Sequence, residues 1–436
     1  MRFHLRLLCY LLLTVLQFAC SPSARIKKTA REQLLLHPSF QPAHVGISIF
    51  DPAAGKFWYN HQAEKYFVPA SNTKIFTCMA ALQTLGDSLV AFRWVDKGDG
   101  LVEVEANGDP TFLHPDFPRQ PAFDWLKKQQ KVLLSDQNWK DKGLGAGWAW
   151  DDYTSDYTAE RSFMPLYGNL VNFQLQKGSL VSVPDSYARS FFPTLNSFGS
   201  RFNITRAAGL DSFFLIPAGR IFSSTNIPFH VTGPAQLAKM LADTLHQKVE
   251  HSNFKLERWP DVRLLYSQPT DSVLSIMMHR SDNFFAEQLL LMSGNEKLAY
   301  MNTRSIIDTL LNNEWKDLPQ RPKWVDGSGL SRYNLFTPLD FVWILQRMKN
   351  QYEWTRITHI LPTGDEGTLK GLYKNYAGKI YAKTGTLSNH VALSGFLQTQ
   401  KGRTLIFSIL VNAHQTSPAE IRKQIEIFLT GIIDRY

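Results

Sequence analysis

Cysteine is nearly absent: three residues in a chain of 436, namely Cys9, Cys20 and Cys78. Cys9 and Cys20 lie in or beside an apolar amino-terminal run, which leaves Cys78 alone in the body. Cys20 is its only available intrachain disulfide partner, and on an apolar segment Cys78 reads as a small core residue. No H-E-x-x-H occurs, and with so few thiols neither a zinc site nor a redox centre has support. No metal and no cofactor are therefore expected. The net charge is +9, yet no long Lys/Arg run and no nucleic-acid motif accompany it. The charge suits an anionic surface in general and gives no ground for a nucleic-acid partner. Internal repeats and low-complexity segments are missing as well.

What is present is a globular composition, 44% hydrophobic, 13% aromatic and 19% charged. A chain of this length buries a large core and divides into two or three domains. At the amino terminus Arg2, His4 and Arg6 precede an apolar run from Leu7 to Phe18, followed by Ala19-Cys20-Ser21-Pro22-Ser23. The run is too short to cross a bilayer comfortably and fits the hydrophobic region of an export signal, residues 1–23. Cys20 after Ala19 resembles a lipoprotein acceptor that would carry a diacylglyceryl group and anchor the chain to a membrane. Gln17 stands where such sites usually have leucine, so cleavage after Ser23 or Ala24 is an equal alternative.

Beyond a polar linker, Val45, Ile47 and Ile49 alternate with other residues. Asp51-Pro52-Ala53-Ala54-Gly55 turns the chain and Lys56-Phe57-Trp58-Tyr59 returns, a hairpin pattern. A helix is expected from about Ser71 to Leu85, stopping at Gly86. Residues 88–231 change character, with clustered aromatics, long loops and little helical periodicity apart from Phe123 to Gln130. This reads as an inserted β-rich domain dividing a body made of residues 24–87 and 232–436. From Thr232 helical spacing resumes at Leu237, Met240 and Leu241, then Val273, Ile276 and Met277, then Phe284, Phe285 and Leu289. Strands follow over Lys379–Leu387, Val391–Gln400 and Arg403–Val411. A last helix is opened by Ser417-Pro418-Ala419-Glu420 and striped by Ile421, Ile425, Phe428 and Ile432. The terminal strands are expected to share one sheet, with the terminal helices on one face and the helical portion on the other.

The stretch that organises the rest is Pro69-Ala70-Ser71-Asn72-Thr73-Lys74. On a helix Ser71 and Lys74 lie at i and i+3, one turn apart on one face. A serine hydroxyl is a poor nucleophile until a base stands beside it, and a lysine whose pKa is depressed can be that base. Taken alone the pattern is common, recurring at Ser252-Asn253-Phe254-Lys255, and reads as a helix cap with a solvated lysine. Ser281-Asp282-Asn283 and Lys383-Thr384-Gly385-Thr386 follow it in order, and chance does not readily supply all three.

With these three motifs the chain resembles the penicillin-binding protein and serine β-lactamase superfamily. More narrowly it is similar to the D-alanyl-D-alanine carboxypeptidases with endopeptidase activity, the S13 peptidases. The narrower likeness rests on Asn107-Gly108-Asp109-Pro110-Thr111, Ser281-Asp282-Asn283-Phe284-Phe285-Ala286-Glu287, Val325-Asp326-Gly327-Ser328-Gly329-Leu330-Ser331-Arg332 and Gly367-Thr368-Leu369. It rests also on the separation of 210 residues from Ser71 to Ser281, a gap that holds an inserted domain in that family. The resemblance implies an α+β fold: an antiparallel sheet with flanking helices, an all-α subdomain and an inserted β-rich domain.

By the same resemblance Ser71 attacks the carbonyl of the penultimate D-Ala of a peptidoglycan stem peptide, forming an acyl-enzyme that β-lactams mimic. Lys74 is the base, poised by Lys383, and Ser281 passes the proton to the leaving amine. Asn283 holds Lys74 and the substrate amide. Lys383, Thr384, Gly385 and Thr386 form a strand edge suited to a terminal carboxylate. The N–H groups of Ser71 and Thr386 form the oxyanion hole. Asp151 or Asp152 contacts the amine of a diaminopimelate side chain, unless the Trp148–Asp152 stretch is a plain surface turn. Asp326-Gly327-Ser328-Gly329 shapes the wall beside the site.

Three rivals remain. A class A β-lactamase needs a deacylating glutamate in an E-x-x-L-N setting, which none of Glu287, Glu296, Glu314, Glu353 and Glu366 supplies. An esterase or class C enzyme would use Y-x-N, and Tyr167-Gly168-Asn169 falls within the insertion, as chance would place it. A catalytically silent cell-wall binding protein would not need all the motif residues intact.

Overall fold

Alternating apolar residues from both ends of the chain build the central sheet. The structure is a computed structural model that describes residues 22–176, 179–189, 191–193, 203–216, 224–256 and 260–436. The expected export segment, Cys20 included, lies outside them. The sheet runs in the order Ile380–Leu387, His390–Gln398, Thr404–Asn412, His44–Asp51, Lys56–His61, antiparallel throughout. Both faces are covered, and the side chains divide by the two-residue period of a strand. Leu405, Phe407, Ile409 and Val411 pack with Ile421, Ile425, Phe428 and Ile432 of the carboxy-terminal helix Pro418–Arg435 and with Ile26 and Ala30 of Pro22–Ala30. Ile406 and Leu410 face the helical portion instead.

In the helical portion the helix Lys74–Thr84 lies at the centre. Every residue from Lys74 to Leu82 is buried, which suits a segment apolar nearly all round. Cys78 is among them, a buried free thiol. Around it pack Thr270–Arg280, Asn283–Leu298, Thr303–Asn312 and Pro338–Gln351, contributing Val273, Met277, Phe285, Leu289, Ile306, Phe341 and Leu345 to one core. This arrangement of terminal sheet, terminal helices and opposed helical layer is the α+β fold expected.

The insertion forms its own sheet, ordered Lys248–His251, Lys131–Ser135, Leu101–Ala106, Ser88–Asp96, Arg263–Pro269. Two of these strands lie beyond residue 231, so the expected boundary cuts through a paired sheet. By strand pairing the inserted part reaches Pro269. The misreading has a physical source: the helix Pro234–Leu245 has clean helical spacing, but Leu237, Met240, Leu241 and Leu245 pack into the core of the insertion, against Val132, Phe229 and Val249.

Candidate active site

Ser71 sits in a tight 3-10 turn, Ala70–Thr73, and the α-helix proper begins at Lys74. The turn is pinned to the sheet through its neighbour. Asn72 Nδ2 donates to Ser394 Oγ at 2.7 Å, and Ser394 Oγ donates to Ser408 Oγ at 2.9 Å. Both serines occupy strand positions that would otherwise be apolar, so the sheet presents a polar seat to the nucleophile turn. Gly385 completes the fit. A Cβ there would stand 2.6 Å from the Pro69 carbonyl oxygen and 3.1 Å from the Ser71 nitrogen, so only glycine lets the edge strand approach.

The Lys74 ammonium is fully buried and has three acceptors around it. They are Ser71 Oγ at 3.0 Å, Asn283 Oδ1 at 2.6 Å and the Ser328 carbonyl at 2.7 Å. Burial lowers its pKa to about 8, against the opposing pull of Asp326, Asp282 and Glu287. Asn283 is oriented from its other end, where Nδ2 donates to the Tyr157 carbonyl at 3.0 Å. If Lys74 loses a proton, two N–H bonds remain for Asn283 and Ser328, and the lone pair faces the Ser71 hydroxyl.

The second motif is a helix junction. Thr270–Arg280 ends at Ser281, which adopts the left-handed conformation at φ +63°, and Asp282 caps the next helix by accepting from Phe285 N at 2.9 Å. A non-glycine residue held there costs about 1–2 kcal/mol, a strain that marks functional positions. The junction aims Ser281 Oγ at Lys383 Nζ, 2.9 Å away. Lys383 also donates to the Thr384 carbonyl at 2.7 Å, and its pKa is held well below the ordinary lysine value by burial, then by Lys74 and Arg422. Burial is thus the first cause of the lowering at both lysines, with the charge of Lys74 adding to it at Lys383.

A cleft of about 510 Å³ is lined by Ser71, Ser281, Asn283 and Thr386, with Trp148, Asp152, Tyr157, Gly329 and Arg332. The three motifs thus meet around one space. Of the two acidic candidates, Asp152 lines the cleft and accepts from the Tyr157 hydroxyl at 2.8 Å. Asp151 is exposed on the same short 3-10 turn, Trp150–Asp152, and is not among the cleft-lining residues. Asn169 is buried, donating to the Glu160 carbonyl at 2.7 Å and to Ser162 Oγ at 2.9 Å, so Tyr167-Gly168-Asn169 does not enter the cleft.

Glu287 and Arg422 also serve the site, in roles that the three motifs do not announce. Glu287 Oε1 accepts from Ser328 N at 2.7 Å, which fixes the loop whose carbonyl holds Lys74. Burial, then Asp326, raises Glu287 to about 7, while Arg161 of the insertion opposes the rise with Nη1 at 3.2 Å. Glu287 stands four residues after Asn283 on one helix, a spacing that could have suggested it. Asp326 accepts from Gly329 N, Ser331 N, Asn334 Nδ2 and, at 2.9 Å, Trp148 Nε1 of the insertion. That is the wall-shaping role expected of its segment. Gly329, at φ +83°, packs so closely on the Ala70 carbonyl that a Cβ would lie 2.0 Å away. Arg422 reaches from the carboxy-terminal helix to donate to Thr386 Oγ1. No local motif announces that contact.

A family model for the D-Ala-D-Ala carboxypeptidase 3 (S13) family matches residues 28–432. The D-alanyl-D-alanine carboxypeptidase of Actinomadura sp. (strain R39) is 26% identical over 449 residues, 90% of this chain and 82% of that protein. D-alanyl-D-alanine carboxypeptidase DacB of Haemophilus influenzae is 23% identical over 420 residues, 83% and 84% of the two chains. Among solved structures, penicillin binding protein 4 (dacB) of Haemophilus influenzae shares the fold with a TM-score of 0.72 at 19% identity, covering 94% of this chain and 99% of that one. The same protein complexed with a β-lactam gives 0.67 at 17%, with the same coverage. This chain belongs to the D-Ala-D-Ala carboxypeptidase 3 (S13) family.

Proposed function

We propose that Ser71 is the acylated nucleophile of a serine-type D-Ala-D-Ala carboxypeptidase and endopeptidase acting on peptidoglycan. Neutral Lys74 takes the Ser71 proton as Oγ attacks the carbonyl of the penultimate D-Ala. The Ser71 and Thr386 N–H groups receive the developing oxyanion. Ser281, bonded to Lys383, relays to the departing amine the proton that Lys74 took up, so that Lys74 returns to its neutral form and Ser281 keeps its hydroxyl; the departing amine is free D-Ala or the amine side of a cross-link. Water then hydrolyses the ester and restores Ser71. Lys383, Thr384, Gly385 and Thr386 recognise the terminal carboxylate. Thr386 Oγ1 accepts from Arg422, which leaves its own proton free to donate to that carboxylate. Asp152 is the better placed of the two acidic candidates for the amine of the diamino acid.

The observation that carries this reading is the pairing of two buried lysines with two serines, 3.0 Å and 2.9 Å, across one cleft in a member of this family. β-Lactams are covalent inhibitors by the same route. The protein is exported, and we propose either a lipid on Cys20 or cleavage after Ser23 or Ala24. Ile26 and Ala30, the buried residues of Pro22–Ala30, lie beyond either cut. The test is digestion of purified sacculi with mass analysis. Wild type should release D-Ala, split cross-links, or both, and Ser71→Ala should do neither. Undiminished release by Ser71→Ala would refute the assignment.

A further inference from the structure

The space around the nucleophile continues past Ser281. A second cavity of about 700 Å³ opens between the insertion and the helical portion, and Tyr157, Ser281 and Asn283 line both. One wall carries Asn172, Gln174 and Asn226, from the paired strands Leu170–Gln176 and Ser224–Pro228. Val171 and Ile227 on these strands are buried in the core of the insertion, so the pleat turns the amides the other way. The amides bond head to tail. Gln174 Nε2 donates to Asn172 Oδ1 at 2.6 Å, and Asn172 Nδ2 donates to Asn226 Oδ1 at 2.7 Å. A primary amide has two N–H bonds and two lone pairs, so each retains capacity for a ligand. Facing them, Arg280 bridges Asp116 at 2.5 Å and Asp282 at 2.9 Å, which offsets the charge of those two carboxylates.

An amide row on an open sheet face would be ordinary solvated surface. This row lines a cavity whose mouth is Ser281, the group that serves the leaving amine. The acyl side of a substrate has the other cleft, beside Trp148 and Asp152. Free D-Ala needs little room beyond Ser281, whereas pockets of roughly 300–1,000 Å³ enclose drug-sized ligands. Asn172 and Gln174 are alternate residues of one strand, about 6.6 Å apart, and Asn226 is the cross-strand partner of Asn172, so the amides offer donors and acceptors both along and across the sheet.

We propose that this cavity is a leaving-side subsite in which Asn172, Gln174 and Asn226 bind the second peptide of a cross-link, favouring endopeptidase over carboxypeptidase action. The inference rests on the roles given above to Ser71 and Ser281. Its test compares wild type with the double variant Asn172→Ala/Asn226→Ala on two substrates, a D-Ala-D-Ala pentapeptide and a glycan-free cross-linked peptide dimer. Penicillin acylation is the third readout. The dimer kcat/KM should fall about tenfold for the lost hydrogen bonds, with pentapeptide cleavage and acylation near wild type. Asn226→Ala alone, at an exposed position, should give a smaller loss confined to the dimer if the double variant fails to fold. Equal losses on both substrates, or an unchanged dimer rate, overturn the proposal. Wild type that is acylated yet cuts neither peptide refutes the functional reading itself, and the subsite with it.

Discussion

The peptidase body and the inserted region meet at one cleft and contribute different things to it. The body supplies every side chain that would exchange a proton or form a bond: Ser71, Lys74, Ser281 and Lys383. The insertion supplies braces. Arg161 holds Glu287, which holds the Ser328 loop, whose carbonyl holds Lys74, while Trp148 bonds Asp326 in the same loop. Chemistry here is short-range and local to the motifs, whereas the geometry that tunes it is set partly from more than a hundred residues away in the chain.

Substitutions should separate the two contributions. Lys74→Ala removes the base, and penicillin acylation measured by stopped-flow should slow by about 10²–10⁴-fold with the fold intact. In wild type the same rate should climb as pH rises toward 8 and level off above it, because neutral Lys74 is the active form and burial sets its pKa at about 8. Arg161→Ala should act the other way round. Its side chain is 4% exposed and pairs with Glu287 at 1%, so a denaturant melt at alkaline pH, where that carboxylate is charged, should show a loss of about 3–5 kcal/mol that shrinks as pH falls and Glu287 takes up a proton. Arg422→Ala frees the Thr386 hydroxyl and should raise KM several-fold for a substrate ending in carboxylate, by about 1 kcal/mol of binding, and less for its amide. The smallest effect is expected from Asp152→Asn: weaker cleavage of diamino-acid peptides with acylation by penicillin unchanged.

Much of this was legible in the sequence, and the reasons differ by region. Ser71 with Lys74 is read from local spacing, because helices bring i and i+3 together whatever surrounds them. The terminal sheet was readable from two-residue alternation. The end of the insertion was not, because Pro234–Leu245 shows the same helical period whichever core receives it. Arg161, Trp148 and Arg422 act across long sequence separations through single contacts, and a lone arginine or tryptophan carries no periodic signal. The source of the Lys74 shift was also hidden. Nearness to Lys383 could be guessed from motif order, but the depth of burial that lowers Lys74 depends on how helices pack around it.

The most direct measurement is peptide mapping by mass spectrometry after incubation with benzylpenicillin. A penicilloyl adduct on the peptide containing Ser71, absent from Ser71→Ala, is the result this account requires. An adduct on another serine, or one that persists in Ser71→Ala, would contradict it.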